Sequence, residues 1–141
     1  MNLKKKIVFL LLVSLIILNC TPVFAASTGY RSPTPTSTTV YRSNTWSPSV
    51  NWDFRNIGIP SNAKVTGMYV RWMVNGYYLH LNLAVFNQSG NGYYIPFNDF
   101  RFDSFNGQTA AQIWSSKFWV DRIIAPSTSV KVTPQLCIYY E

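Results

Sequence analysis

Apolar and polar residues alternate with a period of two along most of the chain beyond position 40. This alternation predicts β-strands that bury one face. Short turn signals separate the alternating runs, among them Asn75-Gly76 and Asn106-Gly107. Because many short strands divided by turns are typical of antiparallel sandwiches, we predict an all-β fold, a jelly-roll-like or Ig-like β-sandwich. The alternating runs fall at residues 50–54, 68–74, 79–85, 100–102 and 130–140.

Residues 108–120 fit two patterns. Their apolar side chains would form one stripe of a helix through Ala110, Trp114 and Phe118. The same Trp114 and Phe118 also alternate with polar residues, as in a strand. Because Trp and Phe favour pleated surfaces, we expect a strand that begins at residue 113.

The Asn75-Gly76 pair is the strongest hairpin signal in the chain, since a type I′ turn needs positive φ at both central residues. A two-residue turn would pair the flanking strands, with Val74 opposite Tyr77 and Trp72 opposite Leu79. One face of this hairpin would be apolar and would belong to the core. The other face would carry Met73 and the five residues that we predict to bind a ligand: Tyr69, Arg71, Tyr78, His80 and Asn82.

This second face combines flat rings with hydrogen-bonding groups. Tyr rings are rigid and have a polar edge. Arg, His and Asn side chains can donate to hydroxyls, carboxylates or phosphates. A polysaccharide requires both kinds of contact, because its sugar rings have apolar C–H faces bordered by hydroxyls. The alternative is an ordinary solvent-facing side of an antiparallel sheet.

The N-terminal segment has the three parts of a secretory signal peptide. It begins with three lysines at 4–6, continues with an apolar run at 7–18, and has small residues before a cleavage position after Ala25. We therefore predict a signal peptide at 1–25 and a secreted, extracellular protein. The alternative is a lipoprotein acylated on Cys20, although the residue before this cysteine is not small as that motif expects.

Residues 26–39 include ten Ser, Thr or Pro residues. Such a segment has little to bury, so we predict an extended linker that serves as a frayed terminus or as a spacer. The β-sandwich domain is then predicted to span 40–141.

Composition narrows the class of protein. The chain has 141 residues, with 12 Lys and Arg against 5 Asp and Glu, and its charged fraction is 12%. One domain of this length can form a core, whereas disordered chains and coiled coils need more charge. Loss of the three lysines in the predicted signal peptide lowers the net charge from +7 to about +4. Without a basic stripe, this charge disfavours nucleic acid but suits an anionic envelope polymer or lipid head groups.

The sequence offers no clear set of residues for catalysis, a metal or a cofactor. His80 is the single histidine, and the predicted hairpin sets it opposite Arg71, where a general base would need a carboxylate. Asp99 and Asp103 would be about 13 Å apart on one strand, too far for a glycosidase pair, so they fit turns better. A calcium site formed with Asn98 would lack a recognised loop. We therefore predict a non-enzymatic protein without cofactor or metal.

The tryptophans differ in their expected exposure. Trp52 and Trp72 are in phase with apolar residues and belong to the predicted core. Trp46 lies in a loop-like stretch, where an exposed ring could contact a ligand. Trp114 and Trp119 are five positions apart, so at least one should point outward from a continuous strand.

Two smaller expectations concern the C-terminal third. Cys137 lies between Leu136 and Ile138, and we expect it to be a small buried side chain. Asp121 and Arg122 are adjacent, and we expect them to form an ion pair in a loop.

Several functions are compatible with these features. The leading hypothesis is a secreted, non-enzymatic binding module for a glycan or cell-envelope polymer, with the predicted face as its site. A membrane-active toxin or antimicrobial β-protein is the second, because aromatic residues and mild basicity also suit a membrane surface. A structural protein that self-associates through exposed edge strands is the third, and a hydrolase built on His80 or the Asp99–Asp103 pair is the fourth. The oligomeric state stays open.

Overall fold

The computed structural model describes residues 28–32 and 36–141, which form ten β-strands in two sheets. The predicted signal peptide at 1–25 lies outside the described residues. Within the described part of the chain, no helix has the length and hydropathy needed to cross a membrane. The strands are β1 (Thr28–Arg31), β2 (Thr38–Val40), β3 (Thr45–Trp46), β4 (Val50–Asp53), β5 (Val65–Asn75), β6 (Tyr78–Phe86), β7 (Gly92–Ile95), β8 (Phe100–Phe102), β9 (Ile113–Ile123) and β10 (Val130–Tyr140).

The connectivity of the two antiparallel sheets is that of a jelly roll. Sheet A has the order β1-β10-β5-β8, and β2 also pairs with β10. Sheet B has the order β3-β9-β6-β7, and β4 also pairs with β9. If β1 with β2 and β3 with β4 are each counted as one interrupted strand, the chain changes sheet at every connection except β6–β7. The predicted antiparallel β-sandwich is confirmed, and its topology is the jelly-roll alternative.

The core lies between the inner faces of the two sheets and follows the predicted alternation. In β9 the even-numbered positions are buried as far as Val120, and β10 repeats this pattern along its length. The rings of Trp72 in sheet A and Phe118 in sheet B meet edge to face, with centroids 5.7 Å apart. Trp52 and Trp72 are buried, as predicted. The ambiguous segment also forms the expected strand, since β9 begins at Ile113.

Pro134 lies inside β10, which has neighbours on both sides, although proline has no N–H to donate to a ladder. Pro134 is opposite Trp72, whose backbone N–H and C=O both bond the Asn98 side chain on the far side of β5. In an antiparallel pair, the backbone N–H and C=O groups of two opposed residues point either toward each other or away from each other. Because those of Trp72 point away from β10, those of Pro134 point away from β5. The N–H that Pro134 lacks would therefore point toward the interruption between β1 and β2, where the sheet needs no donor.

The predicted hairpin at Asn75-Gly76 is wrong. β5 lies in sheet A beside β10 and β8, whereas β6 lies in sheet B beside β9 and β7. Gly76 has a φ of 127°, but Asn75 does not have positive φ and pairs with Lys131 at the end of β5. The type I′ geometry therefore does not form, and the chain crosses to the other sheet. Glycine is required at this crossing, because a Cβ on Gly76 would lie 2.8 Å from the Ser129 carbonyl oxygen.

One whole strand, β1, and the first two residues of β2 fall inside the segment 26–39, where the sequence predicts a linker. β1 pairs with the C-terminal half of β10, and β2 pairs with its N-terminal half. Thr38 and Val40 are buried. β-branched residues suit a pleated surface, and a strand at a sheet edge needs a ladder on one side alone. The sandwich therefore begins before residue 40.

Cys137 does not point into the core as expected. It is partly exposed in β10, between the buried Leu136 and Ile138. The alternation of the strand, rather than the apolar character of the flanking residues, sets its direction, so Cys137 lies on the outer face of sheet A.

Candidate functional site

The structure divides the five predicted ligand-binding residues between the two sheets of the sandwich. Tyr69 and Arg71 belong to β5 in sheet A. Tyr78, His80 and Asn82 belong to β6 in sheet B. Because the hairpin that would have joined them does not form, the five side chains do not share one surface.

The two sheet A residues lie on a cationic outer face. Arg71 is exposed, and its Nε donates a hydrogen bond of 2.8 Å to Gln135 Oε1. Tyr69 is partly buried and is in register with Arg101 of β8. The guanidinium carbon of Arg101 lies 4.9 Å from the centroid of the Tyr139 ring. The long side chains of this face therefore contact one another along the sheet surface.

Asn82, one of the three sheet B residues, lines a depression in the protein surface. Trp119 is in register with both Trp46 of β3 and Asn82 of β6, so these side chains form one row across the sheet. Tyr94 of β7 lies in the neighbouring row, opposite Ala84. We call Trp46, Trp119 and Tyr94 the aromatic patch. The open depression has a volume of about 430 Å³ and is lined by Trp46, Asn82, Tyr94, Ile95, Pro96 and Trp119.

The rings of the aromatic patch are inclined to one another; Trp46 and Tyr94 are exposed and Trp119 is partly buried. Trp46 and Trp119 meet edge to face, with centroids 5.4 Å apart and planes at 64°. Trp46 and Tyr94 have centroids 6.1 Å apart and planes at 42°. The exposed fractions of Trp46 and Tyr94 are 40% and 64%, so a ligand can reach both rings. Since the three planes are not parallel, they form a curved surface rather than a flat one.

The alternation of β9 explains why Trp119 faces outward. Its neighbours Phe118 and Val120 are fully buried, so the residue between them must occupy the outer face. Trp46 is held beside it because Ser47, the next residue, is anchored to β9. The backbone N–H of Ser47 donates to the Phe118 carbonyl at 2.8 Å, and the Phe118 N–H donates to Ser47 Oγ at 3.0 Å.

Asp121 connects the aromatic patch to His80. The Nε1–H of Trp119 donates to Asp121 Oδ1 at 3.0 Å, and His80 Nδ1 lies 3.2 Å from Asp121 Oδ2. Two expectations are therefore corrected. The neighbour of His80 is a carboxylate rather than Arg71, because β6 pairs with β9. Asp121 lies in β9 rather than in a loop, and its carboxylate contacts these two side chains rather than Arg122, which an alternating strand directs to the other side.

His80 has an unusual backbone conformation within β6. Its φ is 45°, in the left-handed region that non-glycine residues rarely adopt. The side chain is 79% exposed, so its contact with Asp121 takes place in solvent. A solvent-exposed contact of this kind contributes little to stability.

The acidic residues expected in turns do lie there. Asp99 precedes β8 and Asp103 follows it, and both are exposed. Across residues 28–32 and 36–141, no group of three or more His, Cys, Asp or Glu side chains lies close enough together to hold a metal ion.

A separate ion pair lies at the end of β4. Arg55 Nη2 contacts Asp53 Oδ2 at 2.6 Å, and both side chains are largely open to solvent. Hydrogen bonds from the Arg55 side chain, and then from its backbone N–H, lower the pKa of the Asp53 carboxyl from 3.8 to about 2. This pair is distant along β9 from the aromatic patch, since Asp53 is in register with Ile113.

Sequence reasoning found part of this site. Trp46 and Trp119 were both expected to be candidates for exposure, the first from its loop-like surroundings and the second from its spacing with Trp114. Tyr94 was missed, although its position in the short run Gly92–Ile95 between turn signals could have indicated an edge strand. The register that brings these rings together depends on which strands pair, and no local pattern specifies that.

Comparison with known proteins supports the fold. No family model and no curated protein matches the chain. The crystal structure of FlhE is similar over 83% of this chain and 99% of that one, with a TM-score of 0.60 and 15% identity. More distant matches include the coat protein of Tobacco streak virus, with a TM-score of 0.45 and 9% identity over 86% of this chain and 90% of that one.

A further match is the CBM36-1 domain of a multidomain xylanase from the hindgut metagenome of Trinervitermes trinervoides. Its TM-score is 0.37, with 11% identity over 79% of this chain and 95% of that one. The FlhE match agrees with the two-sheet architecture. At these identities, none of the matches transfers a function.

Proposed function

We propose that the chain is an exported, non-catalytic binding module that recognises a glycan through the aromatic patch. This proposal keeps the class of ligand expected from the sequence but moves the site. The binding surface is the depression on the outer face of sheet B, and of the five predicted residues Asn82 alone lines it.

The observation that carries the proposal is the group of exposed rings beside a polar side chain. The apolar C–H faces of a sugar ring pack against aromatic faces, and hydroxyls around the ring need donors and acceptors. Trp46 and Tyr94 offer the rings, and the amide of Asn82 can both donate and accept. Lys117 lies in the adjacent row, in register with Ala84, and adds a cation for an acidic sugar or phosphate substituent.

The inclination of the rings favours a single soluble chain over a flat crystalline surface. Planes at 42° and 64° to one another cannot all lie against one plane. Successive sugars of a free polysaccharide can turn relative to each other and so meet rings of different inclination. The open shape of the depression would also let a long chain pass across it without needing an end.

The test is binding of the protein to soluble polysaccharides, to peptidoglycan and to a glycan array. Trp46→Ala and Tyr94→Ala should each weaken binding by roughly tenfold, because burying an aromatic side chain against a ligand is worth on the order of 1.5 kcal/mol. Tyr77→Ala is a matched control, since Tyr77 is 64% exposed like Tyr94 but lies outside the patch. The proposal fails if no glycan is retained, or if the patch variants bind as well as Tyr77→Ala.

A further inference from the structure

Large apolar side chains that are exposed to solvent gather at one end of the sandwich. We call this the apolar end, and it contains the β2–β3, β5–β6, β7–β8 and β9–β10 connections. The β4–β5, β6–β7 and β8–β9 connections lie at the opposite end and, in the part of the chain that the structure describes, carry no exposed large apolar residue. The exposed residues in or beside the connections of the apolar end are Tyr41, Tyr77, Leu79, Phe97 and Ile124.

This grouping is more than the scatter expected of a protein surface. Single exposed apolar residues are ordinary, whereas a group on neighbouring connections marks an interaction site. Tyr41 and Tyr77 are 70% and 64% exposed, so most of each ring meets water. They belong to different connections, which means that the grouping arises from the fold and not from one apolar stretch of sequence.

Hydrogen bonds hold these connections together. The Ile124 N–H donates to the Tyr77 carbonyl at 2.9 Å, and the Tyr77 N–H donates to Ser127 Oγ at 2.8 Å. The β2–β3 connection is attached to β9 because the Ile123 N–H donates to Ser43 Oγ at 2.9 Å. The apolar side chains therefore extend from a preformed backbone, which lowers the ordering cost of binding.

Cations accompany the apolar residues. Arg42, Arg122 and Lys131 are exposed in or next to the same connections. Two carboxylates lie at the same end: Asp121, which contacts Trp119 and His80, and Asp99 in the β7–β8 connection. With three cations and two carboxylates, the apolar end carries a small excess of positive charge beside its exposed apolar side chains.

The opposite end has the reverse balance. Asp53, Asp103 and Glu141 lie there, with Arg55 and Lys64 as the cations. The uneven distribution of charge along the sandwich matches the uneven distribution of exposed apolar residues.

From these observations we infer that the apolar end docks on the surface of an anionic lipid membrane. Aromatic and aliphatic side chains enter the interface between head groups and acyl chains, and basic residues beside them attract anionic head groups. This is a further function, separate from the glycan site. Docking by one end sets the strands upright on the bilayer, so both sheet faces, including the aromatic patch, stay open to ligands.

The test is sedimentation with vesicles of phosphatidylglycerol mixed with phosphatidylcholine, and with vesicles of phosphatidylcholine alone. Both the full chain and the chain from residue 26 are used, because the apolar run at 7–18 would itself bind lipid. Circular dichroism checks that every variant is folded. We expect binding to the anionic vesicles that weakens as salt is raised, since salt screens exposed charges.

Two double variants test the two kinds of contact. Tyr41→Ser/Tyr77→Ser and Arg42→Gln/Lys131→Gln should each weaken vesicle binding by roughly tenfold or more, since a basic residue near the surface is worth about 1 kcal/mol and buried apolar groups add to this. The matched controls are Tyr94→Ser, whose ring is 64% exposed on the outer face of sheet B and away from the apolar end, and Arg55→Gln/Lys64→Gln at the opposite end. These controls should bind like the unmodified protein.

The inference is overturned if the protein does not sediment with anionic vesicles at low salt, or if the two double variants bind like their controls. Equal binding to phosphatidylcholine vesicles would contradict the role of charge. Release of a dye trapped in the vesicles would show that the protein disrupts the membrane rather than docking on it, and would also overturn the inference. Trp46→Ala, which should lose glycan binding, should keep vesicle binding, so failure of one proposal is distinguishable from failure of the other.

Discussion

The side chains of Trp46 and Trp119 meet edge to face at 5.4 Å across the β3–β9 pair, although 73 positions separate them in the sequence. β3 has two residues and pairs with β9 alone, and this ring contact adds to the hydrogen bonds between Ser47 and Phe118 that hold it to the sheet. The same contact forms one wall of the depression that we propose binds a glycan. The same two rings therefore contribute both to the packing of β3 on the sheet and to the proposed binding surface.

Asp121 should affect glycan binding although it does not line the depression. Asp121→Ala removes the acceptor of the Trp119 Nε1–H bond and releases the indole. A hydrogen bond of this kind is worth about 0.5–1.5 kcal/mol, so we expect glycan affinity to fall roughly two- to tenfold. Isothermal titration calorimetry measures the effect. Asp103→Ala makes the same charge change in an exposed turn and should leave the affinity unchanged; equal losses in both variants would refute the positioning role.

Trp72 should be essential to the core. Trp72→Ala removes the ring that contacts Phe118 and leaves a cavity between the sheets. A substitution of this size lowers the free energy of unfolding by about 3–5 kcal/mol. Urea denaturation followed by fluorescence measures the loss. Trp46→Ala is the comparison on the outer face and should cost less than about 1.5 kcal/mol, the upper range for an aromatic pair contact. If both variants lost the same stability, the assignment of inner and outer faces would be incorrect.

Gly76 should tolerate no side chain. Gly76→Ala combines a φ of 127° with a Cβ 2.8 Å from the Ser129 carbonyl oxygen. Gly90→Ala is the matched control, because Gly90 also has positive φ, of 84°, but no atom within 4 Å of the added Cβ. The control should cost about 1 kcal/mol from backbone strain alone, and Gly76→Ala should cost clearly more. Thermal denaturation compares them, and similar losses would argue against the crossing of the chain at this point.

The Asp53–Arg55 pair should be visible in a pH titration. The pKa of Asp53 is lowered to about 2 in the folded protein from an ordinary 3.8, so the pair stabilises the fold above the ordinary pKa and loses this contribution as the pH falls toward 2. NMR titration of the Asp53 carboxyl should give a midpoint near 2. In Arg55→Ala the midpoint should return toward 3.8; a midpoint that is the same with and without Arg55 would show that the contact does not form in solution.

The strands could be predicted from sequence because each depends on a local period. The alternation around Trp72 and along β9 follows directly from burial of one face, and both segments form strands, each a few residues longer than predicted. Membership of a sheet could not be predicted in the same way. Two strands with a period of two can pair as a hairpin within one sheet. They can equally lie in two sheets that face each other, and the same residues are buried in both cases.

The error at Asn75-Gly76 shows how this ambiguity spreads to the candidate site. The turn signal correctly marked a reversal of the chain, but Asn75 stays in β5 and Gly76 alone has positive φ. Tyr69 and Tyr78 were consequently assigned to one face and lie in different sheets. The segment before residue 40 was misjudged for a related reason, because its composition suits a linker while pairing with β10 depends on residues about 100 positions away.

The pairing of β1 with β10 determines how the protein can be attached to a support. Thr28 is in register with Tyr140, so the first described strand starts where the last one finishes. Both lie opposite the β5–β6 crossing, since Asn75 is in register with Lys131 at the start of β10. A tag fused after Glu141 would therefore hold the molecule at the end opposite the apolar end. Tyr41 and Tyr77 would then be directed away from the support and accessible to vesicles passed over it.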